Sequence, residues 1–420
     1  MRTLESFKSS LPAQGLFRGE ELPFLLSPEP LRLEEKLTRQ LEGLGRTLLA
    51  FQQACDRLYK RSRKGTIPAW ISETLDAGKP DWLVGAQYDG LYKTALPRVI
   101  RPDLLLAEHG FSMTELDSVP GGMGLTTWLA SQYEDTLGEG MVHALRRFAP
   151  EGLEVQISEE SADYRSEMEY LCEQVGTESQ PWLCHSVEAD RSESGLPPYR
   201  FFELFDWENV PALQERYLEN EITPPVKPHL EEKLWLALLH TPSLAGYWAE
   251  ELREKQVSRL KSIVPYGWVV DPTELPPHAA LPRLDVHSWQ QVGRFSQKER
   301  ELVLKVSGFS ELAWGSRGVT IGHDESAQEW EQAMSHALQS FEQSPYIMQE
   351  FTDTQIVEHP YFDPETGAVK EMKGRVRLCP YYLVTPDYKQ VTLGGVLATI
   401  NPADKKKIHG MRDAVLTVVA

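Results

Sequence analysis

Cysteine is scarce: the 420 residues hold four, Cys55, Cys172, Cys184 and Cys379, and no two stand in a CxxC spacing. That argues against a zinc motif or a disulfide framework and leaves reduced thiols as the expectation. Long apolar runs are missing as well. No stretch approaches the ~18 consecutive apolar residues of a membrane-spanning helix, and Met1–Lys8 has no apolar core of the kind a secretion signal needs. A soluble cytoplasmic protein with no membrane partner is expected. Positive charge is also short. Against 62 acidic residues stand 43 Lys and Arg, a net charge of −19. Nucleic acid and anionic membrane surfaces demand basic patches, so neither is expected as the main partner. The overall composition is that of an ordinary globular chain, long enough for two or three domains of ~150 residues.

One short stretch concentrates chemistry. Arg101-Pro102-Asp103-Leu-Leu-Leu-Ala107 and Phe111-Ser-Met-Thr-Glu115-Leu-Asp117 flank Glu108-His109-Gly110. Two apolar-rich arms around a three-residue loop ending in Gly read as a β-hairpin. With Ala107 facing Phe111, Asp103 lies opposite Glu115 and Arg101 opposite Asp117. Residues two apart on a strand share a face, so the four side chains converge. One carboxylate pair at 4 Å costs roughly 4 kcal/mol at an effective dielectric of 20. A single arginine cannot neutralise three acids, and Mg²⁺, which takes oxygen ligands, is the natural partner. The alternative is a hairpin face whose charges splay into water.

Elsewhere the periodicity sketches an α/β chain. Leu37, Leu41, Leu44, Leu48, Phe51, Cys55 and Leu58 recur at steps of three and four, predicting a long amphipathic helix; Gly43 and Gly45 weaken it. The loop Ser118–Thr126 is rich in glycine, which allows a ligand to approach the backbone closely. Strands are expected at Leu153–Ile157, Trp182–Val187 and Phe201–Phe205, with a helix at Ala162–Val175, a Rossmann-like β-α-β layer with a parallel sheet. Past Pro224-Pro225, helices are expected at His229–Leu239, carrying Lys233, and near Leu244–Leu260. A Pro-rich linker covers Asp271–Pro282. Beyond it come a strand at Glu301–Lys305, a helix at Gln328–Phe341, and strands at Tyr346–Phe351, Arg375–Val384 and Val391–Ile400.

The strand ending in Lys305 enters Val306-Ser-Gly308-Phe-Ser-Glu-Leu-Ala-Trp-Gly315-Ser-Arg-Gly318. A cation beside flexible backbone N–H groups suits phosphate. The segment matches neither GxxxxGK[ST] nor GxGxxG, and an ordinary glycine-rich surface loop is the alternative.

Taken together, these segments resemble the ATP-grasp superfamily. Arg101-Pro-Asp103 and Glu115-Leu-Asp117-Ser-Val-Pro120-Gly121 resemble its R-x-D hairpin and E-x-N-x-x-P-G pattern, with Asp117 in place of the usual Asn. Lys305 and its loop resemble the lysine and flap that close over phosphates. Glu231-Glu232-Lys233 resembles the first nucleotide lysine, and Tyr346-Ile-Met-Gln349-Glu350-Phe351 the segment that reads adenine. The acids precede both lysines, an order similar to the circularly permuted branch that includes glutathionylspermidine synthetase.

The resemblance implies an ATP-grasp fold in circularly permuted order. It would comprise an N-terminal helical region (1–94), the metal-binding hairpin and substrate loop (95–150), a Rossmann-like pre-ATP-grasp domain (151–223) and the nucleotide-binding lobes (224–420). It implies an ATP-dependent carboxylate–amine ligase working through an acyl phosphate. Its cofactors would be ATP and Mg²⁺, and its partners a small carboxylate and an amine or peptide. Asp103, Glu115 and Asp117 would hold Mg²⁺. Lys233, Lys305, Gly308, Gly315, Gly318, Gln349 and Glu350 would bind the nucleotide, and Arg101, Arg375 or Arg377 would act on the transferred phosphoryl. A phosphotransferase or a non-catalytic nucleotide-binding subunit are the alternatives.

Overall fold

The leucine stripe does what its spacing dictates. In this computed structural model Glu35–Arg63 is one helix, and Leu41, Leu44, Leu48, Phe51, Cys55 and Leu58 along it are buried. The structure describes residues 3–13, 15–16, 22–88, 90–187, 194–209, 217, 222–313, 317–405 and 413–420. The chain forms two compact units. The first comprises residues 1–49, 86–226 and 354–420, the second residues 50–85 and 227–353.

The first unit is built on a seven-stranded sheet. Its strands are β1 (Leu25–Leu26), β2 (Val99–Ala107), β3 (Gly110–Asp117), β11 (Ile356–Phe362), β12 (Val369–Val384), β13 (Val391–Pro402) and β14 (Val415–Val418). They run in the order β1-β14-β13-β12-β2-β3, with β11 also on β12. The long β12 pairs first with β11 and then, from Arg377, with β2, so the hairpin is joined to a strand more than 250 residues away in the chain. Gly45 finds its reason here. A Cβ on it would meet the Tyr382 ring at 2.5 Å, and the Tyr382 hydroxyl donates to the Leu41 carbonyl at 2.6 Å.

A second, three-stranded sheet in this unit is parallel throughout: β4 (Leu153–Ile157) lies between β5 (Trp182–Ser186) and β6 (Pro198–Phe201). The helix Arg165–Val175 connects β4 to β5, so the alternation of apolar segments was read correctly for its first two strands. The third was misplaced. The strand ends at Phe201, and Leu204–Asn209 is a 3₁₀ helix.

The second unit has its own sheet and core. β7 (Gly267–Val270), β8 (Leu302–Val306), β9 (Val319–Ile321) and β10 (Tyr346–Glu350) run in the order β7-β10-β8-β9, all antiparallel. Trp268, Trp289, Leu304, Trp330 and Met348 pack into one cluster. The helix expected near 244–260 is broken, with segments Ala245–Glu251 and Glu254–Ile263. Arg253 takes an extended backbone, and the Gln256 side chain accepts its N–H at 3.0 Å, starting a new helix. The helix expected over 229–239 is shorter too: Pro228–Glu231 is 3₁₀, and Lys233 caps an α-helix over Leu234–Leu238. Among the described residues no helix is long and apolar enough to cross a membrane.

Candidate functional site

In the first unit the hairpin brings its charges together by a route the sequence did not show. Ala107 pairs with Gly110, not Phe111, so the loop has two residues, Glu108 and His109. Four pairs later the register shifts between Asp103 and Leu104. The extra residue on β3 is a β-bulge, which displaces the pairing by one. The shift restores the expected pairs Asp103–Glu115 and Arg101–Asp117. Two compensating errors in the sequence-based register left the expected pairing of the charged residues intact.

Arginine occupies the centre of this patch. Arg101 lies 3.1 Å from Asp103 and 2.9 Å from Asp117. Arg377, arriving on β12, lies 3.3 Å from the other Asp103 oxygen. The remaining Asp117 oxygen accepts the Val119 N–H at 2.8 Å. Burial lowers the pKa of Arg101, but Asp103 and Asp117 outweigh that and hold the guanidinium charged. Burial raises the carboxyl of Asp117 above its usual range, Arg101 opposes the shift, and Glu115 adds to it. The Cys379 thiol, 3.5 Å from Asp103, is pushed up to about 12 by burial and then by that carboxylate. So two arginines, not one, face the three acids.

This arrangement bears on a metal. Carboxylate oxygens are the right donors for Mg²⁺. Yet both oxygens of Asp103 face guanidinium groups, and those of Asp117 face Arg101 and a backbone N–H. Among the described residues no group of three or more His, Cys, Asp or Glu side chains is arranged to hold a metal ion. The donor types fit and the arrangement, as it stands, does not. Arg375 is placed differently from Arg377: its guanidinium donates to Thr354 (carbonyl 3.0 Å, hydroxyl 2.7 Å) and to the Ala403 carbonyl at 3.2 Å. It ties chain segments together and joins none of the acids in these bonds.

The glycine loop after the hairpin is closely packed by side chains. A Cβ on Gly121 would meet the Tyr164 ring at 2.2 Å, and one on Gly122 the Tyr381 hydroxyl at 2.4 Å. On Gly124 it would meet the Glu167 carbonyl at 2.3 Å. The buried Glu167 carboxylate accepts the Gly122 N–H at 2.6 Å, at the start of the helix Met123–Ala130. Burial raises its pKa to about 7, against the pull of the Gly122 and Gly124 N–H groups. Sequence reasoning passed over Glu167. The available signal was a carboxylate in register with Leu171 and Val175, on the buried stripe of its helix.

The second unit holds the lysines. Lys305, on β8, donates to the Gln349 side-chain oxygen on β10 at 3.0 Å, and both residues are buried. Lys233 donates to the Ala313 carbonyl at 3.1 Å, within the glycine-rich segment. Both of these acceptors are neutral. Glu350 lies 3.0 Å from Arg283, and burial raises its pKa. The glycines divide. Gly308 packs against Glu232, where a Cβ would meet the carboxyl carbon at 2.8 Å. The Gly318 N–H is committed to the Leu312 carbonyl at 2.8 Å. Gly315 lies outside the described residues, as do Lys406, Lys407 and His409 of the C-terminal basic stretch.

No protein-family model matches this chain, and no curated protein matches it in sequence. Solved structures do match in fold. The chain superposes on a glutathione synthetase-like effector from Globodera pallida in its apo form, with a TM-score of 0.54 at 12% identity. The match covers 99% of this chain and 95% of that one. The two proteins share a fold. A provisionally named γ-glutamylcysteine synthetase from Methylobacillus flagellatus KT also matches, at 12% identity over 90% of this chain and 87% of that one. Its TM-score is 0.43.

Proposed function

We propose that this protein is an ATP-dependent carboxylate–amine ligase of the ATP-grasp type, with its segments in the permuted order of glutathionylspermidine synthetase. One observation carries the reading. Lys305 stands on the strand that enters the glycine-rich segment, and Lys233 donates to the Ala313 carbonyl within it, so two cations meet at one glycine-rich segment. The fold shared along nearly the whole chain with a glutathione synthetase-like protein supports it.

In this reading residues 224–420 carry the nucleotide lobes, 95–150 the acidic hairpin and substrate loop, and 151–223 the pre-ATP-grasp layer. Lys233 and Lys305 neutralise phosphate oxygens, and Gln349 and Glu350 lie where adenine is read. A substrate carboxylate attacks the γ-phosphate, ADP leaves, and an amine opens the acyl phosphate with release of phosphate. Electrostatic stabilisation by fixed cations dominates such phosphoryl transfer. Arg101 and Arg377 are the cations nearest the acids.

Mg²⁺ enters as part of the Mg–ATP substrate. Asp103, Glu115 and Asp117 would hold it once Arg101 yields its two carboxylates. The protein alone is therefore expected to bind Mg²⁺ weakly, and calorimetry should find the ion retained only together with nucleotide. Tight Mg²⁺ binding without nucleotide would contradict that role for Arg101.

The deciding experiment is Mg²⁺-dependent ATP consumption with hydroxylamine, against pooled amino acids, peptides and small acids. Hydroxamate from wild type and none from Lys305→Ala is the expected result. ADP formed without hydroxamate would replace the ligase reading with a kinase.

A further inference from the structure

We infer that Lys79 is a positioning residue for the phosphate loop, acting through Glu232 and Ser307; this rests on the nucleotide reading above. Lys79 and Glu232 form an ion pair at 2.5 Å, with each side chain 1% exposed. The other Glu232 oxygen accepts the Ser307 hydroxyl. That hydroxyl in turn accepts the Leu234 N–H at 2.9 Å, and the Ser307 carbonyl accepts the Lys233 N–H at 3.3 Å. Three bonds therefore tie the residue at the mouth of the glycine segment to the turn that presents Lys233.

Lys79 is itself fixed in place. Its ammonium donates to the Leu75 carbonyl at 2.6 Å and stands 5.7 Å from the Phe309 ring centroid. The preceding Gly78 has φ +70°, and a Cβ on it would meet the Gln343 carbonyl oxygen at 1.9 Å. Gly308 completes the assembly, since only a residue without a Cβ fits against Glu232 and the Glu231 carbonyl.

A role in stability alone explains this poorly. A buried ion pair is a weak stabiliser compared with apolar side chains of the same volume. Apolar replacements could fill the space but could not orient a hydroxyl that accepts one N–H while donating to a carboxylate. The arrangement sets where the segment 307–313 begins relative to Lys233 and Lys305. It also gives residues 70–85, which carry no other assigned role, a part in nucleotide binding.

The test uses Ser307→Ala, which keeps the Lys79–Glu232 pair. It also uses the double variant Lys79→Met with Glu232→Gln, which leaves no buried charge unpaired. Two readouts are needed: hydrogen exchange of the Gly308–Ala313 amides without ligand, and affinity for Mg²⁺ with a non-hydrolysable ATP analogue. Both variants should exchange these amides, and lose affinity, by about tenfold or more, the scale of a lost hydrogen bond to a charged group. Folded variants that exchange and bind like wild type would overturn the inference. Wild type that binds no nucleotide would sink the ligase reading, and faster loop exchange would still assign Lys79 to holding the loop.

Discussion

The acid patch of the first unit and the lysine patch of the second handle charge in opposite ways. Asp103 and Asp117 face the guanidinium groups of Arg101 and Arg377. Lys305 and Lys233 rest on a side-chain amide and a backbone carbonyl. A charge matched by an opposite one inside a protein contributes to holding the structure, and removing either partner is costly. A charge set on a neutral acceptor gives that acceptor up more easily to an incoming ion. The acids of the first patch are matched to cations of their own sheet, whereas the lysine bonds of the second are the ones the proposed nucleotide role would exchange.

Mutation can break that comparison. Lys305→Ala should lower kcat/KM for ATP by ~100-fold or more, as expected for a group that stabilises developing phosphoryl charge. Its urea midpoint should fall less than that of Asp103→Asn, because the bond from the Lys305 ammonium to Gln349 is lost but no buried charge is left short of a partner. Equal losses of activity and stability would erase the contrast. Asp103→Asn should cost stability as well as activity. It leaves Arg101 and Arg377 short of a buried counter-charge and should destabilise the fold by about 3 kcal/mol, read as a lower urea midpoint.

A third prediction concerns pH. The folded-state pKa of Glu167, about 7, lies above the ordinary carboxylate value, so the folded state holds the proton more tightly than the unfolded chain. Its contribution to stability is fully present below about pH 4.5, and is lost as pH rises through about 7. Glu167→Gln should remove that loss, gaining on wild type by up to about 3 kcal/mol between those limits. Unfolding curves from pH 4.5 to 8 would show it, and parallel pH profiles for the two proteins would refute it.

The smallest effect belongs to Glu358, an acid on β11 a few residues past Glu350. It makes an exposed pair with Lys373 at 3.1 Å, with both side chains more than 60% exposed. Such pairs contribute under about 1 kcal/mol. Glu358→Gln should leave both the urea midpoint and KM for ATP unchanged, and a raised KM would give the residue a part in nucleotide binding.

Much of the site was legible because its signals are local. Arg101, Asp103, Glu115 and Asp117 fall within one hairpin, and strand alternation alone puts them on one face. Lys305 stands near the end of an apolar strand beside its glycines, a pattern contained in the seventeen residues from Leu302 to Gly318. The leucine stripe of Glu35–Arg63 likewise needs no partner to be recognised. The third parallel strand and the broken helix at Leu252 were misread because their ends are set by Pro198 and by the Gln256 cap, not by periodicity.

By itself the sequence determined the acidic hairpin, the longer strands of each sheet, the long helix and the identity of the charges. The tertiary structure decided what each charge faces. Arg377 reaches Asp103 across a sheet that joins β2 to β12. Glu167 meets Gly122 from a helix more than forty residues on, and Lys79 meets Glu232 from 153 residues away. Local geometry follows from the order of neighbours along the chain. Which carboxylate meets which cation depends on long-range packing, where the apolar core and not the charges sets the arrangement.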